Sequence, residues 1–296
     1  MTQTVQTVQA TEAPAPVESL PAPPTGSRRW RLGPTILVPA AAVGVLAIAA
    51  IAPGFLASGD PLAMEPANAF AAPSLDNLFG TDESGRDVFT RVIHGARDSL
   101  SIGLMATVIG VGLGLILGAI AGWGSKAVDF SVNRVLEVLF AFPNLLLALL
   151  VITILGPGVV TLTLAVGLST APGYARMIRS QVRSVKASGY VEASIVQGRS
   201  RWFIIRRHVL PNVAAPLFVL ATLGVGQAIV WASSLSFLGL GATPPAPEWG
   251  AMLSDGRGYM SIAWWITVFP GLFIVLSAAA TTVLGHSLQK RQKEQS

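Results

Sequence analysis

The sequence predicts an all-α polytopic membrane protein. Hydrophobic residues make up 52% of its 296 residues and charged residues only 12%, whereas soluble domains carry about 25% charged residues. A soluble chain of this composition would expose more apolar surface than water tolerates. Lipid offers the backbone no hydrogen-bond partner, so a long apolar run inside a bilayer must be helical.

Six apolar runs predict six transmembrane helices, since a crossing needs about 20 residues at a rise of about 1.5 Å each. The fourth run is the shortest, and Pro172 limits its end. Pro143 and Pro270 predict kinks in the third and sixth runs, because proline lacks the backbone N–H. The runs cover residues 36–56, 100–122, 135–155, 159–174, 213–233 and 262–284.

The organisation along the chain follows from these runs. Residues 1–32 are rich in Pro, Thr and Ala without apolar periodicity, which predicts a disordered cytosolic tail. The first helix, within 33–57, is longer than the apolar part of a signal peptide and predicts an uncleaved anchor. An extracytoplasmic segment (58–98), a five-helix core (99–286) that includes a cytosolic loop (175–212), and a cytosolic tail (287–296) complete the chain.

The distribution of Lys and Arg predicts that both termini are cytosolic. With a cytosolic N-terminus, 16 of the 20 basic residues lie inside, and such an excess is typical of cytosolic loops. The net charge of +5 therefore comes from basic residues next to the membrane spans and does not indicate a nucleic-acid partner. The basic residues left outside are Arg86, Arg91, Arg97 and Arg257.

Several kinds of chemistry are excluded by their missing motifs. The chain has no Gly-x-x-x-x-Gly-Lys-Ser/Thr phosphate loop and no Cys, and His94, His208 and His286 lack the spacing of a metalloprotease. The apolar runs also lack the buried ionisable groups of a secondary transporter. No catalytic residue, metal site or cofactor is predicted in this chain, so its energy must come from another chain.

Four glycines in the second run lie on one helix face, because they recur every four residues. Small residues at this spacing let two membrane helices approach closely. The face packs either against another helix of the same chain or against a second subunit. These glycines are Gly110, Gly114, Gly118 and Gly122.

The connection between the fourth and fifth runs has about 38 residues, too many for a simple turn. We predict a short helix over 190–199, a turn at Gly198, a second helix from about Arg201, and a change of direction at Pro211. A basic segment bound to anionic lipid is the alternative to a protein-binding loop. The residues that carry the pattern are Tyr190, Glu192, Ala193, Ser194, Gly198, Ile204, His208, Leu210 and Pro211.

This pattern resembles the cytosolic loop of importer permeases of the ATP-binding-cassette (ABC) class. That loop reads Glu-Ala-Ala, three variable residues, Gly, and a run that closes with Ile-x-Leu-Pro. Here Ser194 replaces the second Ala, and Val209 stands between His208 and Leu210. The resemblance implies the type I ABC importer permease fold, a loop that docks on a cytosolic ATPase, an ion pair from Glu192 to that ATPase, and a turn at Gly198.

Two outer segments are similar to the peptide-importer branch, in the second of its two permease subunits. One matches Gly-Thr-Asp-x-x-Gly-Arg-Asp and leads into an amphipathic helix with Asp87 and Arg91 on its polar side. The other runs over 235–250 and contains Pro244-Pro245 and Trp249-Gly250. The matching residues of the first motif are Gly80, Thr81, Asp82, Gly85, Arg86 and Asp87.

The resemblance implies a permease subunit for di- or oligopeptides in a bacterial inner (plasma) membrane. Its implied partners are a homologous permease, one bifunctional or two cytosolic ATPases that bind ATP and Mg²⁺, and an extracytoplasmic solute-binding protein. Permeases with the same pattern also import nickel, glutathione and other small solutes. A non-transporting structural subunit of an envelope complex is the alternative from another class.

Overall fold

A computed structural model describes the backbone of residues 34–295 and, apart from 34–36, 215 and 291–295, their side chains. The tail expected over 1–32 lies outside these residues. Within 34–295 the chain is mostly helical and forms no β-strand, which confirms the all-α class. Its helices are α1 Pro34–Ile51, α2 Val88–Trp123, α3 Lys126–Ala141, α4 Asn144–Leu155, α5 Val159–Lys186, α6 Gly189–Val196, α7 Arg201–Ile204, α8 Leu210–Phe237, α9 Trp249–Gly256 and α10 Trp265–Gln295.

Three of the described helices are long and apolar enough to cross a membrane. They are Val88–Trp123, Pro216–Phe237 and Trp265–Lys290, and the bent pair of α3 and α4 makes a fourth if it counts as one span. The apolar part of α1, Leu37–Ile51, is shorter. The count of six spans is therefore not confirmed, although the chain is polytopic.

The change of direction expected at Pro143 is confirmed, as a full break between two helices, whereas the helix end expected at Pro172 is wrong. The third run is not one helix over 135–155, because α3 and α4 meet at a 92° bend at Phe142 and Pro143. Phe142 is extended (φ −87°, ψ 133°), as is typical of the residue before a proline. Pro172, by contrast, lies inside α5, which continues to Lys186.

The outer amphipathic helix and the second span are one helix, α2, of 36 residues. At about 1.5 Å per residue it is about 54 Å long, well beyond a hydrocarbon core of about 30 Å. The expected boundary between the outer segment and the core, at 98–99, therefore lies inside a continuous helix.

The four glycines of α2 face α5 of the same chain. A Cβ added at Gly118 would lie 2.6 Å from the carbonyl oxygen of Ala175, and one at Gly114 would lie 3.0 Å from the Ala175 nitrogen. The structure thus places this face inside the subunit, where glycine is needed for close approach of the two backbones. At the outer end, buried Ile102, Ala106, Leu162 and Val166 continue the same contact.

A buried glutamate holds α9 against α2 and α8. Glu248 is 1% exposed, and its carboxylate accepts hydrogen bonds from the backbone N–H groups of Gly250 and Ala251, both at 2.8 Å. The hydroxyls of Ser99 (3.2 Å) and Ser236 also donate to it. Glutamate is not a preferred helix N-cap, so this role could not be predicted from local sequence.

We expect Gly118→Ala to lower the free energy of unfolding by about 1–3 kcal/mol, the usual cost of overpacking. The matched control is Gly112→Ala on the same helix, because nothing lies within 4 Å of a Cβ there. Thermal melting in detergent, followed by tryptophan fluorescence, measures both variants. Equal melting temperatures for the two would contradict the close α2–α5 contact.

We expect Glu248→Gln to lower the free energy of unfolding by about 3 kcal/mol, because the amide NH₂ group would face hydrogen-bond donors that now bond to a charged acceptor. Glu65→Gln is the control, since Glu65 is exposed and bonds only to the Asn68 side chain. The same melting measurement applies. Equal melting temperatures for the two variants would show that Glu248 does not stabilise the position of α9.

Candidate functional site

The candidate site is the connection between α5 and α8, residues 187–209, which we call the inner loop. Its inward-facing residues Val191, Ile204 and Val209 are buried in one apolar cluster with Ile178, Val182, Val185 and Val213 of α5 and α8. Burial of several aliphatic side chains stabilises such a contact by about 1.5–3 kcal/mol per residue. The loop is therefore fixed to the inner ends of two long helices.

The turn between α6 and α7 is made by Gly198, whose φ is +71°. Its N–H donates to the Ile195 carbonyl (2.9 Å), and that of Arg199 donates to the Ser194 carbonyl (3.1 Å), which closes α6. Nothing lies within 4 Å of a Cβ added at Gly198. Glycine is favoured here by the left-handed backbone and not by lack of space.

The second half of the loop joins α8 without a break. Ile205–Val209 form a π-helical turn, a feature frequent at functional sites, and the backbone stays helical through Val209 and Leu210. Pro211 lies in the first turn of α8, where proline is tolerated. The expectation that Pro211 redirects the chain is therefore wrong.

A hydrogen bond links α6 to this π turn. The Ser194 hydroxyl donates to the Tyr190 carbonyl (2.9 Å) and lies 3.1 Å from Nε2 of His208. A hydroxyl has one proton, so the His208 Nε2–H must donate to Ser194. The Tyr190 ring also lies 5.5 Å from the His208 ring. Ser194 thus adds a polar link at a position where the ABC pattern has Ala.

The outward face of the inner loop is available to a partner. Glu192, in the first turn of α6, is exposed, and its carboxylate has no hydrogen bond or ion pair to any residue that the structure describes. Val196 of the same helix and Trp202 of α7 are 88% and 70% exposed. Trp202 therefore does not share the buried face of Val209. A free carboxylate among exposed apolar side chains is typical of a protein-binding surface.

The remaining loop residues divide between these two faces. Ala193, Leu210 and Pro211 are exposed, as is Gly198, while Ile204 is buried and His208 is half-buried. Next to the loop, Asp129 of α3 accepts hydrogen bonds from Arg179 at 2.5 and 2.9 Å and from Arg183. These ion pairs tie α3 to the inner end of α5.

On the outer side, residues 80–87 form a tight turn immediately before α2, which we call the clasp. Gly80 and Gly85 have φ of +72° and +77°. A Cβ at Gly85 would lie 1.9 Å from the Glu65 carbonyl oxygen, so no other residue fits there. The Thr81 carbonyl accepts a hydrogen bond from the Trp265 indole at 3.0 Å, which joins the clasp to α10.

Asp82 is the centre of this clasp. One carboxylate oxygen accepts from the backbone N–H groups of Ser84 and Arg86, both at 2.9 Å. The other lies 3.4 Å from the Arg86 guanidinium and 3.6 Å from that of Arg91. Arg91 also donates to the Pro245 carbonyl at 3.2 Å, so the two outer segments are in direct contact.

Asp87 and Arg91, expected together on the polar side of an amphipathic helix, have different partners. Asp87 is the N-cap of α2, and its carboxylate accepts from the Thr90 N–H at 2.8 Å and the Thr90 hydroxyl at 2.7 Å. An N-cap side chain turns toward the first helical N–H groups. It therefore faces away from Arg91, which pairs with Asp82 instead.

An open, charged cavity of about 370 Å³ lies beside the clasp. Burial raises the pKa of the Asp255 carboxyl there, and the nearby Arg91 and Arg86 oppose that rise. No group of three or more His, Cys, Asp or Glu side chains suited to a metal ion occurs among residues 34–295. The cavity is lined by Glu83, Arg86, Pro244, Pro245, Asp255 and Tyr259.

Comparison with known proteins gives a consistent result. Residues 114–294 match the family described as binding-protein-dependent transport system inner membrane component. The dipeptide transport system permease protein DppC of Alkalihalophilus pseudofirmus is 40% identical over 242 residues, 82% of this chain and 79% of that protein. The di/tripeptide transport system permease protein DppC of Pseudomonas aeruginosa is 43% identical over 212 residues, 72% and 70% of the two chains.

A third relative has a different named cargo. The glutathione transport system permease protein GsiD of Pectobacterium atrosepticum is 40% identical over 217 residues, 73% of this chain and 72% of that protein.

Two solved structures share the fold. A chain of the inward-facing MetNI methionine ABC transporter aligns with a TM-score of 0.53 and 17% identity, over 67% of this chain and 96% of that one. A chain of an amino acid ABC transporter crystallised with histidines aligns with a TM-score of 0.55 and 16% identity, over 69% and 94%. At this identity the likeness concerns the fold alone. Together with the family match and the peptide-permease relatives, it leads to one conclusion: the chain belongs to the binding-protein-dependent inner membrane components, in the peptide branch of the ABC importer permeases.

Proposed function

We propose that this chain forms half of the translocation path of an ATP-driven importer of di- and oligopeptides, with a homologous permease as the other half. The observation that carries the proposal is the inner loop, which is buried on one face and free on the other. ATP and Mg²⁺ bind to partner ATPases, one bifunctional or two separate, and both termini of this chain are cytosolic. An extracytoplasmic solute-binding protein delivers the cargo.

The inner loop transmits movement because it is fixed to two helices at once. An ATPase that holds Glu192 and its exposed neighbours pulls on α6. The apolar cluster around Val191 and Ile204 passes this pull to the inner ends of α5 and α8, and interfaces of packed side chains move as units rather than deform. Since α5 packs along α2, the outer end of the pathway moves as well.

Peptides are the first candidate cargo, because two of the relatives above are named for dipeptide and di/tripeptide transport. Glutathione is the second candidate, on the similarity to the GsiD permease. Nickel and other small solutes remain alternatives by analogy with the class. Uptake of labelled alanyl-alanine and of labelled glutathione by the same vesicles decides between the first two.

The outer clasp and its cavity are the proposed contact with the solute-binding protein. Asp82, Arg86 and Arg91 are largely buried and hold this surface rigid, while Glu83 and Asp255 line the open cavity. Charged rims speed and orient the docking of protein partners. The proposal assigns the clasp a docking role and no role in chemistry.

We expect Glu192→Arg to reduce peptide uptake and peptide-stimulated ATP turnover together, by about tenfold or more, because it replaces one partner of an interfacial charge pair. Both rates are measured in vesicles that contain the permease and its co-purifying subunits. The control is Glu65→Arg, an exposed glutamate on the outer side. Full uptake by Glu192→Arg would refute the coupling role. Absence of uptake by the unaltered complex would favour the non-transporting structural subunit.

We expect Gly198→Val to uncouple the transporter and Gly198→Asn to retain most of its activity. A β-branched residue strongly disfavours φ near +71°, whereas Asn adopts this region more readily. No side chain would clash at this position, so the comparison isolates the backbone requirement. The ratio of ATP hydrolysed to peptide imported is the measured quantity, and equal ratios for the two variants would contradict the turn's role.

We expect Ser194→Ala to raise the ratio of ATP hydrolysed to peptide imported without abolishing uptake. The variant removes the acceptor for His208 and leaves the apolar cluster intact, a loss of about 1 kcal/mol. Ser184→Ala, at an exposed serine of α5, is the control. An unchanged ratio in Ser194→Ala would show that the apolar contacts alone transmit the movement.

A further inference from the structure

A second cavity, open to the surface and about 270 Å³ in volume, lies between the outer halves of α2 and α5, and its lining side chains Met105 and Val160 are exposed. It contains one charged side chain, Asp98, together with the hydroxyls of Ser101 and Thr163. Its other lining side chains are apolar and include Met105, Ile109 and Val159. Neither the family motifs nor the coupling role of the inner loop uses this cavity.

The Asp98 carboxylate has no partner within the described part of the chain. It is half-buried, and no hydrogen bond or ion pair to it is present among residues 34–295. Its neighbour Arg97 is exposed, and adjacent residues on a helix do not face each other. A carboxylate on a membrane-spanning helix, beside apolar walls, costs free energy unless a cation compensates it.

The two hydroxyls in the cavity can only accept a further hydrogen bond. The Thr163 hydroxyl donates its proton to the Val159 carbonyl at 2.7 Å, and the Ser101 hydroxyl donates to the Arg97 carbonyl. Each hydroxyl has one proton and retains an acceptor lone pair. The polar part of the cavity therefore presents three acceptor groups, one of them charged, and no free side-chain donor.

We propose that this cavity binds a primary ammonium group next to an apolar side chain, as in the N-terminal residue of an incoming peptide. Three N–H donors of an ammonium match the carboxylate and the two hydroxyl oxygens. The apolar walls of Met105, Ile109 and Val159 take the adjoining side chain. The proposal rests on the proposed function only in naming a peptide as the natural ligand.

The position of the cavity connects it to the inner loop. Asp98 is on α2 and Thr163 is on α5, and the glycine face holds the same two helices together toward the cytosol. A ligand between their outer halves is therefore in contact with both members of the pair that ends at the inner loop. Binding of a ligand in the cavity and movement of α5 are therefore coupled through this pair of helices.

The test uses the transporter complex purified with its partner subunits, and a dipeptide of photo-leucine and alanine. We expect ultraviolet light to attach the probe to residues that line the cavity, as located by mass spectrometry, and its N-acetyl form not to attach there. Asp98→Asn should reduce the attachment by about tenfold or more, the effect of losing a charged hydrogen-bond partner. Asp98→Glu should retain most of it. Asp76→Asn, at an exposed outer carboxylate, is the control and should leave it unchanged.

The outcomes are distinct from those for the proposed function. A diazirine alkylamine is used in parallel, so that attachment to the cavity is measured even if the complex imports no peptide. Absence of peptide import, with the alkylamine still attached to the cavity, would refute the proposed cargo but not the ammonium site. Equal attachment in Asp98→Asn and the unaltered complex would overturn the ammonium site. Loss of the second permease from purified Asp98→Asn would also overturn it, since Asp98 would then pair with that chain. The variant's melting temperature should not fall, because the Asp98 carboxylate has no hydrogen-bond or ion-pair partner among the residues that the structure describes.

Discussion

The close contact of α2 with α5 is the constraint on which the rest of the structure depends. Without side chains at Gly114 and Gly118, the two backbones approach to distances that a single methyl group would prevent. In lipid there is no hydrophobic force between helices, so such packing must supply the association energy. The outer cavity around Asp98 and the inner loop lie toward opposite ends of this pair, which is the basis for the proposed coupling between them.

The acidic residues of the chain fall into two physical groups. Asp82, Asp87 and Glu248 are held by backbone N–H groups, hydroxyls or guanidinium groups, and they fix the outer clasp and α9. Glu192 and Asp98 have no partner within the described residues. A satisfied buried carboxylate stabilises a fold, whereas one left without a partner at a surface or cavity is available to another molecule. The functional proposals rest on the second group.

Prolines and long-range pairs account for most differences between expectation and structure. Pro143, Pro172 and Pro211 have the same local chemistry, yet one separates two helices, one lies inside a helix and one lies in a first turn. Whether a helix continues through proline depends on neighbours that satisfy the freed carbonyl groups, and those neighbours are distant in sequence. The same applies to Arg91, whose partner could not be chosen from spacing alone, and to Glu248, whose four donors come from three helices.

Composition, the length of the apolar runs and one local motif were sufficient to predict the class of the protein, its helical character and the position of the inner loop. The turn at Gly198 and the shared glycine face also follow from local spacing. The folded chain was needed to show that the glycines contact α5 of the same chain, that α2 is one helix from the clasp to the inner side, and that the Asp98 carboxylate lies in a cavity with no partner among the described residues. These depend on contacts between residues far apart in the chain, where packing and hydrogen-bond satisfaction, rather than local propensity, set the outcome.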